Sequence, residues 1–529
     1  MEGTPTVSTR FSDYLVHRTV VGHRLKDLVE RMRSRAVPTH WSSMFGVVSM
    51  ACLVVVFATG IFLMFFYTPA STIVEYHGSY LPLRNIDVSK AFDSTLHVSF
   101  EVRGGLLIRQ AHHWAALLLP ASLILQLLTT FFTGGFRRPR RLSWVLLFII
   151  FVVALVDGWS GYALPDDMLS GTGLRIVEGI VLAIPVVGAW SSSMLFGGQF
   201  PGEIIAHLYP VHVVIAPILL VVFLAFRIRL GYLQRSPQFA NPGRTEGNVV
   251  GAPLLPTTAA RAGGLLFIVM GLLFLVSATV TIGPVWLYGP AASGDASAGS
   301  QPDWYTGFLD GALRLVPPGW EFVWLGHTWT LAVLVPLAVV TLFLAFVVLY
   351  PFVEEWITGD KREHHLLDRP RNTPSRTAVG VAGIVFYGTL WGAGSSDLMS
   401  SHFHLDLGSV VAAFRVLVVI GPTIAFVLTR RICLGLQRKD REIVLHGYET
   451  GRVVRLPGGE YAEIHHPLDD YERWRLVDVE QHEPLALRPD SRGRITLANR
   501  LRTGLSAFFF EDRIDVGSPV PRVGPRSVQ

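Results

Sequence analysis

Apolar residues are distributed along this chain in long blocks separated by polar and basic segments. Crossing ~30 Å of hydrocarbon takes roughly 20 residues, and runs of about that length occur at 44–66, 105–133, 143–164, 208–230, 263–285, 325–352, 377–394 and 408–429. They predict eight membrane-spanning helices, an all-α polytopic membrane protein. A ninth run, 174–197, is apolar too, but it contains Arg175, Glu178, Pro185 and the stretch Trp190-Ser-Ser-Ser193. Loop charges decide how to count it. With eight spans, one side of the membrane receives Arg18, Arg24, Lys26, Arg31, Arg33 and Arg35, then the short Arg137-Arg138-Pro139-Arg140-Arg141 loop. The same side receives Arg235, Arg244, Lys361, Arg362, Arg369 and Arg371, and finally Arg430, Arg431, Arg438 and Lys439. The opposite loops carry Arg84, Lys90, Arg103, Arg175 and Arg314. The positive-inside rule therefore predicts cytoplasmic termini and makes 174–197 a helical hairpin lying on the outer face.

The outer loops, 67–104, 165–207 and 286–324, are long, and long ordered loops on a membrane scaffold are where sites are built. The inner connections are shorter, except for the tail from residue 434 onward. In the tail, Val453-Val454-Arg455-Leu456, then Pro-Gly-Gly-Glu, then Tyr461-Ala462-Glu463-Ile464 predict a β-hairpin. The last dozen residues are expected to be disordered, and His465 and His466 to be solvated. The chain thus divides into a cytoplasmic segment 1–43, a four-helix membrane bundle 44–230 with outer surface helices at 171–198, a second membrane domain 231–430 and a cytoplasmic tail 431–529.

Composition fits this division. Half of the 529 residues are hydrophobic and 16% are charged, too apolar for a soluble domain and too charged to be all membrane. The formal net charge of +5 reports topology, since no separate basic patch interleaved with aromatics points to nucleic acid. The only cysteines, Cys52 and Cys433, fall in or beside apolar segments, which excludes a cysteine-ligated iron–sulfur cluster and argues against a disulfide framework. About forty polar residues precede the first apolar run, so no cleavable signal peptide is visible.

The candidate chemistry lies in histidines. Arg109-Gln-Ala-His112-His113-Trp114 enters the second span and His212 heads the fourth, from the same side of the membrane. A histidine in hydrocarbon needs a partner, and two entering separate helices at one depth suggest a shared ligand, with haem iron the leading candidate. Arg109, one turn outward of His112, could pair with a propionate, and Gly60 and Gly161 lie at a depth where a flat macrocycle needs missing side chains. Each of these residues alone can equally be a hydrogen-bonded structural histidine or a packing notch. His113, about 100° round the helix, is expected to face elsewhere, and His207 to be interfacial. Fourteen residues advance ~21 Å along a helix and return to within about 40° of the same face, so a second ligand pair would fall at Gln126 and Phe226. Neither is a histidine.

Further motifs extend the pattern: Gly161-Tyr-Ala-Leu-Pro165-Asp-Asp-Met-Leu-Ser-Gly171-Thr-Gly173, Gly197-Gly198 before Pro201-Gly202-Glu203, and Pro302-Asp303-Trp304-Tyr305. With the histidines, these residues resemble those of cytochrome b, the membrane subunit of quinol–cytochrome c reductase, and most closely its long actinobacterial form. The resemblance covers about residues 10 to 470. It implies a four-helix haem bundle plus four further transmembrane helices, with 174–197 as surface helices covering a quinol pocket. It also implies that Pro302, Asp303, Trp304 and Tyr305 form the quinol-oxidation motif, Asp303 accepting a proton from the quinol.

The same resemblance implies two b-type haems, each bridged by the second and fourth spans. The outer, low-potential haem maps onto His112 and His212, with Arg109 at its propionate and Gly60 and Gly161 against its face. The inner haem maps onto Gln126 and Phe226, with Thr129 where the family has an arginine and Leu147 where it has a glycine; Gly46 alone remains. An amide is a poor iron ligand and a phenyl group is none, while Leu147 and Phe226 would occupy the macrocycle's volume. Arg227 and Arg229, the nearest other donors, read as groups snorkelling to the headgroups. The inner haem is therefore expected to be missing, leaving a gap of the order of 20 Å to the inner face. Three readings follow: a working subunit that routes its second electron another way, a divergent one-haem paralogue with impaired bifurcation and a regulatory role, or a structural protein on an inherited fold. The implied setting is the actinobacterial cell membrane, with menaquinol as donor, a Rieske iron–sulfur subunit and a cytochrome c subunit as partners, a dimeric complex, and contact with cytochrome c oxidase.

Overall fold

The computed structural model describes residues 20–292, 294, 301–477, 483–489 and 494–510. The expectation for the last dozen residues lies outside these. Among the described residues, eight helices are long and apolar enough to cross a membrane. They are α1 (Met44–Met64), α2 (Gly105–Phe132), α3 (Arg141–Ala163), α4 (Ile204–Leu233), α5 (Ala259–Thr279), α6 (Leu331–Thr358), α7 (Pro374–Gly394) and α8 (Leu407–His446). Residues 174–197 are not among them. They belong to two shorter helices, Met168–Leu182 and Gly188–Phe196, packed on one another and on the start of α4. Asp167 opens the first by accepting from the Ser170 amide at 2.7 Å, while the Ser170 hydroxyl oxygen accepts from the Asp167 amide.

Three boundaries differ from the sequence pattern. Helix α5 stops at Thr279 because Gly283-Pro284 breaks the apolar run. Helix α6 begins only at Leu331, since Glu321–Trp324 and His327–Thr330 pair as an antiparallel hairpin around Leu325-Gly326. Helix α8 runs on to His446, its polar end leaving the apolar register. Helix α4 also holds an unforeseen π turn, Val211–Ile215, between Pro210 and Pro217, with His212 inside it.

Helix α1 packs on α2, α3 on α4, and α2 on α3, while α5 lies across α1 and α2 and α7 packs on α8. Lipid tails are as apolar as leucine, so close packing rather than exclusion from water holds such helices together. The shared core runs through Cys52, Leu119, Leu123, Leu127, Leu147, Phe151 and Leu220. In the tail, Tyr448–Arg455 pairs with Tyr461–His466 as expected, Tyr461 opposite Arg455. His466 is exposed, whereas His465 is half-buried, so the expectation of solvation holds for one of the two.

The end of the bundle carrying the basic loops is tied by ion pairs. Arg376 is 1% exposed and its guanidinium bridges Glu354 at 2.8 and 2.5 Å and Asp368 at 2.6 Å. Arg137 joins Asp368 at 2.9 Å, Arg138 and Arg141 both reach Glu355, and Arg371 holds Asp440. Arginines that report topology by their number thus also clamp α6, α7 and α8 together. Removing one partner of a buried pair leaves an uncompensated charge. Arg376→Leu should therefore destabilise the purified protein by about 3–5 kcal/mol in thermal unfolding, and a variant as stable as the parent would show that the cluster is not structural.

Candidate functional site

Four helices reach one level near the end of the bundle opposite the basic loops. Thr59 and Gly60 lie near the end of α1, His112 two turns into α2, Asp157 and Gly161 near the end of α3, and His212 in the π turn of α4. The His112 and His212 rings face each other with centroids 5.9 Å apart and planes at 80°. A metal joined to two imidazoles by bonds of ~2 Å holds their nitrogens ~4 Å apart and the ring centres farther still, which suits this separation.

The tautomers follow from the partners. Thr59 Oγ1 donates to the Val55 carbonyl at 2.6 Å, so it accepts from Nδ1–H of His112 at 2.9 Å. His212 donates Nδ1–H to the Asp157 carbonyl at 3.0 Å. With both Nδ1 atoms engaged, each ring keeps its Nε2 lone pair, the form a metal ligand needs. A Cβ built on Gly60 would lie 3.2 Å from Cε1 of His112, tight enough to press on the ring, and one on Gly161 only 2.5 Å from Cε1 of His212, so Gly161 requires the missing side chain. Arg109 donates to the Gly283 carbonyl at 3.0 Å and lies over the Trp286 ring, yet its Nε and Nη2 are buried without a hydrogen-bond partner. Such a guanidinium suits an anion brought by a ligand. Two free Nε2 atoms, a side-chain-free cradle and an unsatisfied arginine together fit a b-type haem.

Nearer the basic loops the same helices are filled. Gln126 is buried and donates to Ser49 at 2.7 Å, Ser49 bonds Ser122 at 2.6 Å, and Gly46 faces the Gln126 amide. Thr129 turns its hydroxyl back to the Gln126 carbonyl. Leu147 is 1% exposed among Cys52, Leu123, Leu127 and Phe151. Phe226 corrects the sequence reading: it is 57% exposed and fills nothing, and Phe223 packs against the core from α4 instead. The π turn explains this, because it shifts the helical phase by about one residue. Arg227 rather than Phe226 is half-buried, its Nε lacking a hydrogen-bond partner, so it is not simply snorkelling; Arg229 is exposed. No iron ligand has been gained by the shift.

The motif at 302–305 lies beside the histidine level. Trp304 donates its indole N–H to the Leu117 carbonyl of α2 at 3.2 Å, and Trp391 of α7 donates to the Trp304 carbonyl at 2.9 Å. Tyr305 is 1% exposed, its hydroxyl against Gly158 of α3, where a Cβ would lie at 2.7 Å. That hydroxyl donates to Oδ2 of Asp303 at 2.9 Å, and burial and the Asp303 carboxylate push the phenol well above its ordinary range. His113 does face away from the imidazole pair, and what it meets is Asp303: Nε2 lies 3.1 Å from Oδ1. The sequence pattern missed this contact because 190 residues separate the partners. It also passed over Asp157, although a carboxylate within an apolar helix is itself a signal. His207 is exposed in the first turn of α4.

A sequence model of the family described as cytochrome b(N-terminal)/b6/petB matches residues 117–290. The cytochrome bc1 complex cytochrome b subunit of Streptomyces coelicolor is 45% identical over 488 residues, 91% of this chain and 89% of its own. The subunit of that name from Mycobacterium tuberculosis is 43% identical over 444 residues, 83% of this chain and 80% of its own. A solved structure named "Hyperthermophilic respiratory Complex III" superposes with a TM-score of 0.59 at 18% identity, covering 80% of this chain and 99% of its own, and shares the fold.

Beside the site, burial pushes the Asp167 carboxyl up to about 6, against the hydrogen bonds from Ser170 and the charge of Arg109. Its raised value means that the folded state resists ionisation. The stability from this group is complete below the ordinary carboxylate range, near 3.8, and is lost as pH rises toward 6. Asp167→Asn retains an oxygen for the Ser170 amide and should flatten that fall. Its melting temperature relative to the parent is expected to rise between pH 4 and 7, and an unchanged difference would contradict the assignment.

Proposed function

The chain belongs to the cytochrome b family, as the cytochrome b subunit of a bc1-type respiratory complex, and from that membership we propose that it oxidises a quinol at the end of the bundle opposite its basic loops. The positive-inside rule puts that end outside the cell membrane and both termini in the cytoplasm. Asp303 is the proposed base, taking a proton from the quinol hydroxyl. The supporting observation is that both of its carboxylate oxygens already receive donors, Oδ1 from His113 and Oδ2 from Tyr305, which fixes the carboxylate's direction. Trp304, hydrogen-bonded to α2 and α7, holds the loop, and Pro302 is assigned to the same site as the head of the motif. His112 and His212 would ligate a b-type haem, Arg109 would pair with its propionate, and Gly60 and Gly161 would leave space for it. When bound, such a group supplies a one-electron acceptor. The other electron of the quinol is assigned to a Rieske iron–sulfur subunit, with a cytochrome c subunit beyond it. Menaquinol as donor, a dimeric assembly and contact with cytochrome c oxidase complete the proposal.

One observation favours a second reading, a divergent copy retaining only the outer haem and working slowly, in regulation or in assembly. The inner level is packed with Gln126, Leu147 and Phe223, and neither Phe226 nor Arg227 can bind iron. No crossing to the inner face through a second haem can be built on these residues.

Pyridine haemochrome analysis of the purified chain should give one haem, and redox titration one b-type component. Two components would refute the loss of the inner site. His212→Ala is expected to abolish the haem. Asp303→Asn should lower quinol-dependent reduction of the complex by about 10²-fold or more, with little change in haem content. A complex whose turnover survives both changes is not oxidising quinol in this way.

A further inference from the structure

Asp157 is the only carboxylate in α3, an otherwise apolar helix. An aspartate in a membrane helix is costly, ~2.5–3.5 kcal/mol or more at the centre and less toward an end, so its presence near the end of α3 still needs a physical reason. Its carbonyl accepts Nδ1–H of His212 at 3.0 Å and also the Ser160 hydroxyl at 2.8 Å. Its carboxylate Oδ1 lies 2.9 Å from the same Nδ1, and that oxygen is buried without a hydrogen-bond partner of its own. The two imidazoles are therefore not equivalent. His112 leans on a neutral hydroxyl, Thr59, whereas His212 faces an anion.

We propose that Asp157 is a positioning and tuning residue for the group held by His112 and His212, fixing the His212 ring and lowering the potential of that centre. The inference rests on the reading of these histidines as haem ligands. A carboxylate beside Nδ1–H makes the imidazole a stronger donor through Nε2. Ferric iron in a dianionic porphyrin with two neutral imidazoles has a net charge of one, and the ferrous form has none. A buried negative charge at this range therefore stabilises the oxidised form over the reduced one. The fold supports the role. The turn of α3 that carries Asp157 also carries Gly158, against the Tyr305 hydroxyl, and Gly161, against the His212 ring, so the backbone on which Asp157 sits is packed on both sides.

The test is a redox titration of the purified complex with its haem bound. Asp157→Asn keeps the backbone carbonyl bond to His212 and removes the charge. It should raise the ratio of reduced to oxidised haem at a fixed potential about tenfold, an upward shift of about 59 mV for one electron. The low-spin optical and paramagnetic signatures should be unchanged, and Asp157→Glu should return the midpoint toward that of the parent. An asparagine variant that keeps its haem with an unmoved midpoint overturns the proposal. If the asparagine variant loses its haem, the parent chain labelled with 13C-aspartate decides. A carboxylate band that shifts on reduction in the infrared difference spectrum supports the role, and its absence overturns it. A parent chain without any b-type haem refutes the ligand reading first, whereas a haem whose midpoint ignores residue 157 refutes this inference alone.

Discussion

An imidazole within hydrocarbon must have both ring nitrogens answered, and the half of this bundle opposite its basic loops is arranged around that requirement twice. Thr59 and the Asp157 carbonyl take the two Nδ1–H groups, which leaves both Nε2 lone pairs uncommitted, and glycine at 60 and 161 lets the two rings lie close against α1 and α3. The rest of the level follows from it. Arg109 turns toward the site with part of its guanidinium unsatisfied, and the segment at 280–286 closes over the head of α2 through Val280 and Gly283. Without a group between the rings, this is a costly way to build a membrane helix bundle.

The other half of the bundle is held by different physics. There the polar groups answer one another directly, Gln126 through Ser49 to Ser122, and the remaining volume is close-packed hydrocarbon. A satisfied amide among leucines needs no cofactor to stabilise it. Beyond it, Arg376 with Glu354 and Asp368 fastens the helix ends where the basic loops lie. One chain thus combines a level whose imidazoles keep free lone pairs with a level whose glutamine is satisfied from within.

Much of this was legible in the sequence, because the length of an apolar run, loop charge and helical spacing are local properties. The eight spans, the folded-back pair of helices at 168–196, the tail hairpin and the level shared by His112, His212, Gly60 and Gly161 all follow from them. What was missed depends on phase and on distant partners. Counting fourteen residues from His212 assumes an unbroken α-helix, and the π turn at 211–215 spoils that count, which is why Phe226 faces outward. His113 finds Asp303 on a loop 190 residues away in the next domain, and no periodicity within α2 announces it. Asp157 was visible as an aspartate in a span, but its meaning appears only when α4 lies beside α3.

A single turn of α3 forms a wall common to two centres, with Gly158 facing Tyr305 and Asp157 and Gly161 facing His212. Neither neighbour can be remodelled without pressing on the other, so the pair is locked against independent drift.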